Sequence, residues 1–375
     1  MKNFILSVGT LTCMVSTGFS EGYRINSQSP EDQGIPPNRE IVINSTQGCL
    51  SQGAFIEGEF LWWRAQVDDI DYALQSKEPL PIFTPFPAII DTQKIGPDFN
   101  YEPGVRVSAG YDFGRDNWDL FLRWTYHYTK ATHHVNSLPN AADINVYSQT
   151  QFLFATRVEA LSIGNPNFEN LIISSGGDVE WQLRFNALDF EMGYDYFFSK
   201  RFSVRPHMGI KAAWMQMHYN VKYDPAGIVH LIQTDNFANI SGRSSSDYWG
   251  VGPRFGIDGY LHIGWGFSLY GLISSAALYG EYDAKYRILN DNLTNATLDS
   301  DITVKDDYYR LRVMSQLALG LEWAWCFSRD YLLAFNIGWE TQYWWNQLEL
   351  PFFSYFQPDG DLTFSGLDVG ARFDF

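Results

Sequence analysis

No stretch of this chain approaches the ~18–20 consecutive apolar residues that a membrane-spanning helix requires. The 45% of residues that are hydrophobic are dispersed rather than pooled. Positive charge is also scarce. Lys and Arg number 26 against 43 Asp and Glu, a net charge of −17. That balance excludes nucleic acid as a partner, because a phosphate backbone demands clustered cations. Cysteine is rarer still, with three in 375 residues. No GxSxG or HExxH occurs, so two common hydrolase signatures are missing. His133 and His134 are adjacent on a polar stretch, where solvated side chains are the plainer reading than ligands. No enzyme activity, cofactor or metal is expected.

Aromatic residues are abundant. They make up 17% of the chain, with 13 Trp, 22 Tyr and 28 Phe, and Trp and Tyr favour membrane–water interfaces. The first twenty residues read as a signal peptide. A lysine precedes an apolar core from Phe4 to about Val15, followed by small residues before Ser20. Residues before Cys13 make a poor lipobox, so lipidation is rejected. Residues 21–52 hold Pro30, Pro36 and Pro37 without a sustained period and read as an irregular periplasmic tail. Residues 53–375 form the remaining unit.

In that unit apolar residues recur every second position, the mark of strands with one apolar and one polar face. The clearest pair is Val105–Phe113 and Trp118–Tyr128 about the turn at 114–117. Ten such strands are expected, or twelve if 130–178 hides another hairpin. Connections alternate strictly. They are long at 65–102, 130–178, 220–246, 285–307 and 346–361, and short at 114–117, 197–200, near 264 and at 326–330. Loop length that depends on parity belongs to an antiparallel transmembrane β-barrel with short periplasmic turns and long outer loops. The apolar parity slips near Ala187, which predicts a β-bulge there. Gln149–Leu161 reads as a short helix or an inward-folded segment. The chain stops on LTFSGLDVGARFDF (362–375), where Phe373 and Phe375 share the apolar face. Such an ending resembles the assembly signal of bacterial outer-membrane proteins, read by the barrel assembly machinery.

In a barrel the apolar face meets lipid and the polar face lines the lumen. The inward acids in this reading include Glu57, Glu59, Asp119, Glu322 and Glu340. The inward bases are Arg106, Arg123, Arg184, Arg205, Lys211, Arg254, Arg310, Arg312 and Arg372. Opposed rows of this kind either flank a water-filled pore with mild ion preference or form an ion-pair network that plugs a narrow barrel. Composition leaves both open. Cys49 and Cys326 both fall at the periplasmic end. A bond between them, bonds to neighbouring molecules, and free thiols all remain open.

Four segments carry a resemblance: 55–74, 103–129, 183–214 and 254–282. FIEGEFLWWRAQVDDIDYAL and RFGIDGYLHIGWGFSLYGLISSAALYGEY are the first and last of these. Together they resemble the major outer membrane proteins of the Legionella type, also found in chlamydia-related bacteria. The resemblance implies an abundant barrel in the outer-membrane lipid, acting as a porin for small hydrophilic solutes or ions. It also implies a homo-oligomer in many members, sometimes disulfide-linked. The alternative is a plugged structural or adhesin barrel whose long loops bind host or envelope partners.

Overall fold

The computed structural model describes residues 52–76, 92–113, 117–136, 153–155, 171–199, 201–229, 234–292, 300–327, 331–350 and 360–375. Ten long strands form one closed antiparallel sheet: β1 Gln52–Val67, β2 Tyr101–Phe113, β3 Trp118–Asn136, β4 Leu171–Tyr194, β5 Phe202–Val229, β6 Thr234–Gly264, β7 Phe267–Asn292, β8 Ser300–Cys326, β9 Leu332–Leu348 and β10 Gly360–Asp374. Each pairs with the next, and β10 closes on β1 from Phe55–Asp374 to Val67–Leu362. No described helix is long and apolar enough to cross a membrane, a fact that does not bear on crossing by strands.

From Glu59 the register can be walked both ways round the sheet. One direction reaches Arg310 on β8 through Arg106, Thr125, Ala187, Ala213, Gly250 and Gly280. The other reaches Glu322 on β8 through Gly370 and Asn336. Positions 310 and 322 differ by a shear of 12 residues, which for ten strands gives a tilt of about 40°. The barrel's outer surface fits this tilt. Exposed rings gather near the short turns (Trp118, Phe202, Trp265, Trp325, Phe375) and again higher up (Trp62, Trp124, Trp214, Trp249, Trp339). On β5 the span from Phe202 to Trp214 rises roughly 30 Å at that tilt, the thickness of a bilayer's hydrocarbon core. Between the girdles the wall presents Val107, Ile210, Ile257, Ile273 and Leu319, each at least half exposed.

Gly264-Trp265-Gly266 makes the turn from β6 to β7. Trp265 and Gly266 have φ of 57° and 84°, the positive values that a tight hairpin requires at both central positions. Trp265 is thereby held at the tip, 93% exposed, at the lower interface.

The strands run well beyond the membrane. β4 to β8 hold 24, 28, 31, 26 and 27 residues, against about 9–11 needed to cross. The expected long loops at 220–246 and 285–307 are therefore mostly strand. Above the upper girdle the outward face is polar and wet, so its sequence reads as loop although its backbone stays paired. The bulge expected near Ala187 is absent as well. Pairing is unbroken from Gly193 to Gly176 on both sides of β4. What changes near Ala187 is the solvent. Phe190 and Met192 point to lipid, whereas Trp181, Leu183 and Phe185 point inward and are fully buried.

The outer half is filled by an apolar core. Trp63, Trp181, Trp344, Phe185, Phe364, Tyr72 and Tyr282 are all 0% exposed. Phe185 of β4 meets Phe364 of β10 at 4.7 Å and Trp344 of β9 at 5.8 Å between ring centroids, so the stack crosses the lumen. The connection after β1 folds over it. Ile70 and Tyr72 are buried in the core, and their carbonyls accept from Tyr219 Oη at 3.2 Å and from Tyr223 Oη. Short strands Ala73–Ser76, Thr92–Ile95 and Leu153–Ala155 pair edge to edge beside β4. The last lies within the stretch expected as helix or inward segment, and is strand. Lys94 ties this flap at 3.2 Å to Asp71, whose carboxylate raises the lysine's pKa.

Candidate functional site: the charged lumen

Below the apolar core, the inward face of every membrane-level strand carries polar side chains, because lipid claims the other face. Arg106 on β2 is the hub of one group. Its guanidinium donates to Glu59 Oε2 at 2.6 Å, to Glu340 Oε1 at 3.0 Å and to Thr125 Oγ1 at 3.2 Å. Glu340 Oε1 also accepts from Gln316 Nε2 and Gln342 Nε2, each at 2.7 Å. Gln316 passes the chain on, accepting from Arg254 Nη2 at 2.8 Å.

Arg254 on β6 is the second hub, 1% exposed. It lies 2.9 Å from Asp189 Oδ1 and 2.9 Å from Glu191 Oε1. Lys211 Nζ donates to both oxygens of Asp189 at 3.0 Å. Nearer the short turns, Arg205 reaches Asp119 at 2.5 and 2.6 Å and Asp258 at 2.7 Å. His207 lies between Glu191, at 3.2 Å, and Asp258, at 3.6 Å. One connected network thus runs from Glu59 on β1 to Lys211 on β5. Burying such charges is tolerable only because each has close partners.

A cavity of ≈330 Å³ opens among these groups, from Glu340 and Asp368 at the top to Asp112 and Phe197 beside the short turns. Ten carboxylates and four arginines line it. Glu57, whose Oε1 accepts from Asn336 Nδ2 at 2.8 Å, Glu322, Arg123 and Arg372 are part of that lining. Arg372 also pairs with Asp374 at 2.7 Å and lies 3.8 Å above the Phe55 ring. Above the cavity the boundary is sharp. Trp63 Nε1 donates to Asp368 Oδ1 at 2.9 Å while its ring packs on Phe364.

The expected inward residues divide by height. Glu57, Glu59, Arg106, Asp119, Arg123, Arg205, Lys211, Arg254, Glu322, Glu340 and Arg372 face the membrane-level lumen. Arg184 does not. It lies above the inversion at Ala187, is exposed on the outer wall, and donates to Gln216 at 3.2 Å. Arg312 turns inward but in the outer half, where it donates to Tyr282 Oη at 2.9 Å and to Glu349. Arg310 is above it, with its side chain 55% exposed and 3.9 Å from Glu349. Gln316 and Asn336 were missed as network members, since uncharged amides give no signal in a search for charge. Phe373 and Phe375 face outward on β10. Cys326 is disulfide-bonded; Cys49 lies outside the described residues. His133 Nδ1 meets Tyr72 Oη at 3.0 Å, and His134 pairs with Asp178. Among the described residues no group of three or more His, Cys, Asp or Glu is placed to hold a metal.

Residues 46–375 match the family described as Legionella pneumophila major outer membrane protein precursor. No curated protein matches the chain. Among solved structures it is similar to the outer membrane protease OmpT from Escherichia coli, at 8% identity and a TM-score of 0.37, covering 86% of this chain and 97% of that one. It is also similar to Ail, the attachment invasion locus protein of Yersinia pestis, at 10% identity and 0.21, covering 86% and 98%. A Pseudomonas aeruginosa FadL homologue matches at 8% and 0.27, covering 86% and 90%.

Proposed function

The chain belongs to the family of the Legionella pneumophila major outer membrane protein precursor, and on that premise we propose that it is a sealed surface barrel of the outer membrane. Its membrane half anchors, and its outer half displays a water-facing wall to host or envelope partners. It works without catalysis. One observation carries the reading: the ring stack from Phe185 to Phe364 and Trp344 spans the lumen, with every ring fully buried. A hydrated solute has no route through such a core, since interiors pack to crystal-like density. The walls of β4 to β8, the longest strands, supply the displayed surface.

A second reading is a porin for small hydrophilic solutes, favoured by the acid-rich cavity of ≈330 Å³ within the membrane half. It requires the Ile70–Tyr72 flap and the rings beneath it to withdraw. Planar-bilayer recording separates the two. Purified protein is expected to give no discrete conductance steps. Cation-selective steps that Arg106→Ala alters would overturn the sealed barrel in favour of the porin.

A further inference from the structure

We propose that the outer wall over β3, β4 and β5 holds a phosphate-bearing glycolipid of the outer leaflet, with Arg184 as the anchor of its phosphate. The site is independent of whether the lumen conducts. The sequence pattern places Arg184 in the lumen, but the side chain projects outward from β4, between Tyr128 of β3 and Gln216 of β5. Its Nη1 donates to Gln216 at 3.2 Å. Neither these neighbours nor the diagonal ones, Tyr126, Lys130, Trp214 and His218, offer a carboxylate. An exposed guanidinium of this kind suits a phosphate, which it can meet through two parallel hydrogen bonds.

Height selects a lipid as the source of that phosphate. Asn186, two residues below Arg184, pairs across the sheet with Trp214, a ring of the upper girdle. The tilted sheet rises from β4 to β5, so Arg184 and Trp214 stand nearly level, where headgroups begin. Below Arg184 the outward face forms a trough. Leu188 and, on β5, Ala212 are its floor. Trp124 and Tyr126, stacked at 6.1 Å, form one side and Trp214 the other. β3 and β5 lie two strand spacings apart, about 10 Å, which leaves room for an acyl chain between the rings. Asn186 stands at the junction, an amide on a face that lipid otherwise claims.

Charge round the wall confines the site to this sector. Lys130, diagonal to Arg184, is a second cation. Glu180 holds it at 2.6 Å, and an ammonium with three donors can meet that carboxylate and a phosphate together. Gln182, Asn186 and Gln216 surround Arg184 with amides, donors and acceptors that suit a phosphorylated sugar better than a glycerol headgroup. Followed the other way, the row of Arg184 turns acidic. Gln216 leads to Asp247 on β6, Asp283 on β7 and Asp307 on β8, all exposed. A phosphate is drawn to the first sector and repelled by the second.

Native mass spectrometry of the full-length protein, released from detergent micelles doped with bisphosphorylated lipid A, tests this. Lipid A stripped of its phosphates and phosphatidylglycerol are the comparison lipids. Wild type should retain phosphorylated lipid A and hold the stripped form about tenfold or more weakly, the worth of one charge-assisted hydrogen bond. Arg184→Gln should abolish that difference. Ala212→Trp, which fills the trough and leaves every charge in place, should weaken both forms of lipid A alike. Arg287→Gln removes a cation paired with Asp301 at 2.7 Å on β7, outside the sector, and should change nothing. Heat-dependent gel mobility confirms that each variant is folded. Equal retention of stripped lipid A by wild type overturns the site, as does a folded Arg184→Gln that keeps the preference. Phosphatidylglycerol held as tightly as phosphorylated lipid A overturns the glycolipid.

Discussion

On β5, Ile210 and Met215 lie five positions apart and both are apolar. Ile210 is 54% exposed on the lipid face and Met215 is 1% exposed on the axis. Between them, near Trp214, the strand leaves the bilayer. Below that level lipid takes the apolar face and the lumen is built of ion pairs. Above it water takes the polar face, and the lumen is built like the core of a soluble protein. One strand therefore serves two solvents by exchanging the roles of its faces, with no break in its backbone register. The hydrophobic effect acts in both halves, but inward burial drives only the outer one.

Substitutions that assume the wrong half should expose this difference. The largest effect is expected in the lower lumen. Asp189→Leu strands Lys211 and Arg254, buried cations 3.0 and 2.9 Å away, and should cost about 3–5 kcal/mol, read as a lower midpoint in guanidinium unfolding. Leu183→Ala cuts into the outer core, where Leu183 is 0% exposed, and should cost roughly 2–5 kcal/mol. Finding no loss there would mean that the outer half lacks a packed core. Ile210→Lys places a charge in lipid and should cost about 2–4 kcal/mol. His218→Lys, at the same parity one girdle higher, should change stability by no more than about 0.5 kcal/mol. Equal penalties at the two sites would erase the inversion. A change nearly as small is expected for Lys130→Ala. Its pair with Glu180, 2.6 Å apart, lies on the wet outer wall with side chains 45% and 33% exposed, so water screens it to under about 1 kcal/mol.

Strand number, closure and the membrane-level faces were legible in the sequence because lipid enforces a period of two on every crossing strand. Legibility stops at the upper girdle. There the same period continues with its faces exchanged, so Trp181, Leu183 and Phe185 looked like a lipid face and Arg184 like a lumen residue. A signal was present in Trp62-Trp63 and Trp344-Trp345, adjacent rings that cannot both face one solvent. The partners within the lumen were not legible. Arg106 and Glu340 stand 234 positions apart, and only the shear of the closed sheet decides that they meet. The flap of Ile70 and Tyr72 was hidden for a related reason, since an acidic, Pro-dense connection reads as surface.

The adjacent pair Trp62 and Trp63 has an optical consequence. Trp62 is 42% exposed to the bilayer's outer interface, and Trp63 is 0% exposed one residue on. Across the chain eight exposed tryptophans, Trp62 among them, lie at the girdles or the short turns, half-buried Trp323 shares their outward face, Trp345 stands on the wet wall above, and Trp63, Trp181 and Trp344 are fully buried. Brominated lipid should dim the lipid-facing rings, and an aqueous quencher such as iodide should dim Trp345, so that the emission surviving both reports on the barrel's stopper alone. Any condition that loosens the stopper should redden that light before the strands themselves part.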